Sequence, residues 1–259
     1  MSLHLVDRGQ GAPAFLLLHG FGSSSTLWQE VVEALEPEHR CVAPDLRGFG
    51  RSGGAVARLD DHLDDLEALV RERGLDDYVL AGHSMGGKIA AALAARRPAG
   101  LRSVVLIAAS PLGPEPMMES ARTELLAAQG DPAAAQALVT KIAFAELRTD
   151  ARAAFIADNL GTTLSAWRWW LEAGSREDLS RRASSIEAPV LVLAGSLDPV
   201  LGVAVQNDAV RLLRAERLVL SSAAGHLIPL EDPSTCVRVL RAATRRGVPQ
   251  GPELVRRAA

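Results

Sequence analysis

Short runs of consecutive apolar residues alternate along the chain with longer stretches whose apolar positions recur every three or four residues. This is the pattern of parallel strands joined by crossover helices, and it predicts an α/β fold. The predicted strands cover residues 14–18, 41–43, 78–81, 103–108, 190–194 and 218–220. Each is nearly all apolar, as expected when helices cover both faces of a sheet. Residues 3–6 are read as an antiparallel edge strand. The predicted helices are 26–35, 60–73, 84–96, 203–213 and 233–244. In the third of these, Met85, Ile89, Leu93 and the alanines between them form a core-facing stripe, and Arg96-Arg97-Pro98 supplies basic charge and then a stop.

The alternation is regular as far as Ala108. About 80 residues then separate one strand from the next, several times what a crossover helix needs. This stretch opens on a Pro-rich turn, Pro111-Leu112-Gly113-Pro114, and shows helical patterns without a strand. It is expected to be a helical cap. The organisation read from the pattern is a core of residues 1–111 and 186–246, a cap of 112–185, and a loosely held tail of 247–259.

Composition narrows the partners. The 259 residues are 48% apolar and 23% charged, enough for one sizeable core under a charged surface. A formal net charge of −3 with interspersed signs carries no footprint for nucleic acid or an anionic membrane, so a small-molecule substrate is the expected partner. Cys41 and Cys236 form no disulfide framework or zinc spacing, and residues 1–9 hold no apolar signal core. A cytoplasmic protein is expected, monomeric or homodimeric.

Against this background Gly82-His83-Ser84-Met85-Gly86 stands out as G-x-S-x-G. So short a motif recurs by chance, but here it directly follows a predicted strand and opens a helix, the context its chemistry requires. The glycines clear a tight turn that projects the Ser84 hydroxyl at a helix N-terminus, where developing negative charge is favoured. A serine hydroxyl needs a base. Of six histidines, His226 follows the last predicted strand by a short loop, at the same sheet end as Ser84. His4, His39 and His62 lie in segments that need no base, and His83 points away through the turn. Asp198 follows the strand 190–194 through Gly195-Ser196-Leu197 and is the expected acceptor for the imidazole, in the order Ser, Asp, His; Asp208, on a helix, is its nearest rival. The oxyanion donors are expected from the amides of Met85 and of Phe21, the latter in the loop His19-Gly20-Phe21-Gly22.

From residue 14 to 240 the chain resembles the α/β-hydrolase superfamily, in its cap-bearing carboxylesterase-like branch. The resemblance rests on His19-Gly20-Phe21-Gly22, on Asp45-Leu46-Arg47-Gly48-Phe49-Gly50-Arg51-Ser52, on the Ser84 turn, on Asp198 before Pro199, and on Gly225-His226. It implies a mostly parallel sheet with helices on both faces and a helical cap inserted after the sixth strand. It also implies that the loop beginning at Asp45 braces the site without reacting. Dehalogenases and epoxide hydrolases of this fold carry an aspartate where this chain has Ser84, so the resemblance implies an acyl-enzyme route. The expected reaction is hydrolysis of a carboxylic ester, thioester or lactone of a small to medium apolar substrate, with no metal or cofactor. Carbon-carbon bond hydrolysis and perhydrolysis use the same triad and stay open. A binding protein without activity would show damage to the triad or the oxyanion loop, and all parts are present.

The cap gives two readings. On one helical projection Leu160, Leu164, Trp167 and Leu171 form a stripe bordered by Trp170, and Trp169 faces the opposite way. Either Trp169 and Trp170 roof an apolar acyl pocket, with Leu201 and Leu227 adding wall from the triad loops, or all the tryptophans are packing. Met117 and Met118 are read as packing or entrance residues, and Arg176, Arg181 and Arg182 as a solvated face, the alternative being a grip on an anionic substrate such as an acyl-CoA.

Overall fold

The computed structural model describes residues 2–245 and, as backbone, 253–255. In chain order the core begins β1 (Leu5–Arg8), β2 (Ala14–Leu18), α1 (Gln29–Leu35), β3 (Cys41–Pro44), α2 (Leu59–Glu72), β4 (Tyr78–His83), α3 (Met85–Ala95) and β5 (Leu101–Ile107). Four helices follow, α4 (Glu119–Ala127), α5 (Pro132–Ile142), α6 (Thr149–Gly161) and α7 (Leu164–Glu172). The core resumes with β6 (Val190–Gly195), α8 (Val203–Leu213), β7 (Arg217–Ser221), α9 (Ile228–Glu231), α10 (Pro233–Ala243) and β8 (Glu253–Val255).

The strands form one sheet in the order β1-β3-β2-β4-β5-β6-β7-β8, parallel throughout except for β1. Period-two alternation explains how it is covered on both sides. Leu16 and Leu18 of β2 face a core built with α2, α3, α7 and α8, while Phe15 and Leu17 face a second core built with α1 and α10. Cys41 and Cys236 are both fully buried in that second core. From β2 the chain turns one way to β3, then crosses back over β2 to β4. The reversal falls at the carboxyl ends of β2 and β4, the kind of position where open α/β sheets bind ligands.

Four expectations are revised. The first predicted helix is split, because residues Ser25–Trp28 form a 3-10 turn capped by the Ser24 side chain before α1 begins. The insertion follows the fifth strand of this chain, not the sixth. The projection from Leu160 to Leu171 crosses a break: α6 ends at Gly161, and Thr163 starts α7 by accepting from the Ala166 amide at 3.3 Å. This leaves Leu164 exposed. Within the expected tail, 253–255 pairs in parallel with β7, and the remainder of 247–259 lies outside the described residues. No helix among the described residues is long and apolar enough to cross a membrane.

Candidate active site

Ser84 leaves β4 with φ 51° and ψ −120°, in the left-handed half of backbone space that a non-glycine residue occupies only when its surroundings over-determine it. Its own amide donates to Ile107 O (3.0 Å) and its carbonyl accepts from the Ser110 amide (3.0 Å), so β5 and the loop after it hold both ends of the turn. The flanking glycines have no room for a side chain. A Cβ at Gly82 would lie 2.2 Å from the Gly86 carbonyl oxygen, and one at Gly86 would lie 2.4 Å from that of His19.

Three loops leaving three strands bring the expected residues together. His226 Nε2 lies 3.0 Å from Ser84 Oγ and Nδ1 lies 2.9 Å from Asp198 Oδ2. The other Asp198 oxygen accepts from the amides of Val200 (2.7 Å) and Leu201 (3.0 Å). Burial alone would raise the Asp198 carboxyl pKa, but the His226 hydrogen bond and charge, with these two amides, hold it below the ordinary carboxylate range. Asp208 is exposed and pairs with Arg211, well outside this arrangement.

The loop after β2 lies against Ser84, since a Cβ at Gly20 would come within 3.2 Å of Ser84 Cβ. His19 fixes this loop: its Nδ1 donates to Gly20 O at 2.8 Å and its Nε2 accepts from the Leu46 amide at 2.9 Å. Burial lowers its pKa, which keeps the ring neutral and able to accept. Asp45 in turn accepts from the amides of Ser25 and Arg51, both at 2.8 Å, bracing one loop with the other. Phe21 packs against Trp167 of α7 with its ring tilted by 43° and 4.5 Å between centroids. Met85 is the first residue of α3, so its amide is one of those that a helix start leaves without an intrahelical partner.

The four residues expected as pocket wall, Trp169, Trp170, Leu201 and Leu227, are all buried. Trp169 is buried with its ring 4.7 Å from that of His62 on α2, and Trp170 packs beside it in the same core. Trp169 thereby joins the insertion to α2. Leu227 belongs to a separate cluster with Val139, Ile142, Leu147 and Phe155, inside the insertion's base. Leu201 is buried beside Asp198 through its own amide. Met117 is half-buried and Met118 is exposed; Arg181 and Arg182 are exposed, and Arg176 pairs with Glu119.

Several participants lay outside the sequence reading. His83 Nε2 donates to the His226 carbonyl at 2.8 Å. Burial pushes the His83 pKa down to about 3, so this ring stays neutral. Glu115 accepts from Ser110 Oγ at 2.8 Å, and burial raises its pKa. Lys88, one helical turn beyond Ser84, donates to the carbonyls of Gly113 (3.0 Å) and Glu177 (2.6 Å), the two necks of the insertion. Spacing gave no hint of these roles beyond the Lys88 position on α3.

The sequence profile described as the α/β-hydrolase fold matches residues 13–154, more than half of the chain, and the chain belongs to that family. A pimeloyl-[acyl-carrier protein] methyl ester esterase of Vibrio vulnificus is 28% identical over 254 residues, covering 92% of this chain and 96% of its own. A haloalkane dehalogenase 2 of Mycobacterium tuberculosis is 40% identical, but over only 107 residues; the match spans 37% of that relative's length. Among solved structures, a thermophilic esterase from Thermogutta terrifontis superposes with a TM-score of 0.80 at 26% identity, covering 92% of this chain and 91% of that one. An esterase from Exiguobacterium antarcticum, 18% identical, shares the fold with a TM-score of 0.84 over 94% of this chain and 95% of that one.

Proposed function

We propose that the protein is a serine hydrolase that cleaves a carboxylic ester of a small, largely apolar molecule through an acyl-enzyme. The observation that carries this reading is the unbroken hydrogen-bonded line from Ser84 through His226 to Asp198, anchored on a strained turn. Esterases among the relatives support it.

In this mechanism His226 Nε2 takes the Oγ proton as Oγ bonds to the carbonyl carbon, and Asp198 stabilises the imidazolium and fixes its tautomer. The amides of Phe21 and Met85 receive the oxyanion. The tetrahedral intermediate collapses, the ester C–O bond breaks, and the alcohol leaves with the proton from His226. Water then gives a proton to His226 as it attacks the acyl carbon, and Ser84 departs with that proton. Thioesters and lactones fit the same steps. The insertion acts as a cap: Ser84 is only 9% exposed and His226 only 5%, so the acyl group reaches them beneath it.

The partial likeness to dehalogenases does not favour alkyl-halide chemistry here. Attack by a serine oxygen on an alkyl halide leaves an ether, which water does not release, whereas a carboxylate leaves an ester that it does. Labelling with a fluorophosphonate and turnover of p-nitrophenyl esters of increasing chain length test the proposal. One label per chain is expected, lost in Ser84→Ala together with ester turnover. A wild-type protein that takes no label, or a variant that labels equally, would sink it.

A further inference from the structure

Glu231 is a buried carboxyl at the end of α9 that takes no part in the steps above. Four backbone amides converge on it. Oε2 accepts from Phe144 (2.7 Å), Ala145 (2.8 Å) and Gly225 (2.9 Å), and Oε1 accepts from Leu227 (2.8 Å). Gly225 and Leu227 flank His226, while Phe144 and Ala145 belong to the segment between α5 and α6 in the insertion. That segment also touches the base directly, because the His226 amide donates to Ile142 O at 3.0 Å. The packing is close: a Cβ at Gly225 would stand 2.9 Å from Phe144 N and 3.0 Å from Ile142 O.

We infer that Glu231 is a positioning residue that joins the insertion's 142–145 segment and the His226 loop into one unit, so that the insertion sets where the catalytic base stands. Only a carboxylate supplies acceptors to all four donors, each buried amide otherwise being left without one. With the His226 carbonyl held by His83 and its amide by Ile142, the ring is left freedom only about its side-chain bonds. Loss of the Glu231 clamp therefore releases the base and the insertion's 142–145 segment together. A geometric error of this kind acts on the chemical step more than on substrate binding.

The kinetic part of the test rests on the proposed esterase reading, and the exchange part does not. Glu231→Gln keeps the volume but turns an NH₂ toward backbone donors. Hydrogen exchange in this variant is expected to lose protection at 142–145 and 225–227 together, by about tenfold or more, with β4 and β5 unchanged. Ester turnover is expected to lose about tenfold or more in kcat with KM within about twofold, and the rate of Ser84 labelling to fall by a similar factor. Gly225→Ala, which wedges the two segments apart and leaves the carboxylate in place, is expected to reproduce both effects and serves if Glu231→Gln does not fold. Loosening of 225–227 without 142–145, or wild-type kcat in a folded variant, would overturn the inference. If the wild-type protein takes no label, the esterase reading fails and the exchange result alone decides this one.

Discussion

A single methyl group at Gly20 would test how tightly Ser84 and His226 are held. Its Cβ would lie 2.7 Å from His83 Nδ1 and 3.2 Å from Ser84 Cβ. Since the other nitrogen of His83 holds the His226 carbonyl, pressure on one side of that ring passes to His226 on the other. Gly20→Ala is expected to fold normally and to lose on the order of 10²-fold in kcat/KM for a p-nitrophenyl ester, the cost of an ångström-scale misplacement. Unchanged turnover would show that the ring gives way harmlessly. Ser84, Asp198 and His226 were legible in the sequence because each stands a few residues past a strand that the hydrophobic pattern marks. His83 and Glu231 were not legible in role. His83 binds a carbonyl 143 positions away, and Glu231 clamps amides 86 and 87 positions away, contacts that no local spacing encodes.

His62 on α2 carries the consequence that belongs to an element. Its ring is buried between Phe49 and Trp169, and among the described residues neither nitrogen finds a hydrogen-bond partner. Burial pushes its pKa down to about 3 from 6.5. Between those values the unfolded chain binds the proton and the folded chain does not, so stability falls as pH drops from 6.5 toward 3. The loss amounts to about 3 kcal/mol at pH 4. His62→Phe keeps an aromatic ring and removes that term, so its denaturation midpoint is expected to decline less on acidification than the wild type's. Parallel acid profiles for the two proteins would contradict this. The core elements were read from the sequence with small errors at their ends because strand runs and helical stripes are strong signals. The break between α6 and α7 is hidden in the sequence because Leu160, Leu164 and Leu171 sustain an apolar period straight through it. Gly161 and the capping Thr163 marked the stop, and local capping prevailed over the longer pattern.

Across the whole molecule, the insertion touches nearly every loop of the site. Asp158 of α6 accepts from Ser24 and Thr26 beyond the loop that follows β2, Thr163 donates its amide to Gly48 O at 2.9 Å, and Lys88 ties both necks to the helix that begins beside Ser84. The length of the insertion was visible in the sequence; its grip was not, because each contact pairs residues far apart in the chain. Folding and site assembly are thereby joined, and the buried thiols offer a way to time them. Cys41 and Cys236 sit in one core on opposite sides of the chain's length, and burial pushes the Cys41 pKa up to about 12 and that of Cys236 higher still. A thiolate is the reacting form, so both sulfurs are chemically silent while the core is closed. A chromogenic disulfide reagent is expected to modify the native protein only as fast as the core opens. Its rate should stop rising with reagent concentration once opening limits it, and a rate that stays first-order in reagent with native activity retained would show local access instead. The two cysteines thus form an internal clock for core opening, read in the same tube as the labelling of Ser84.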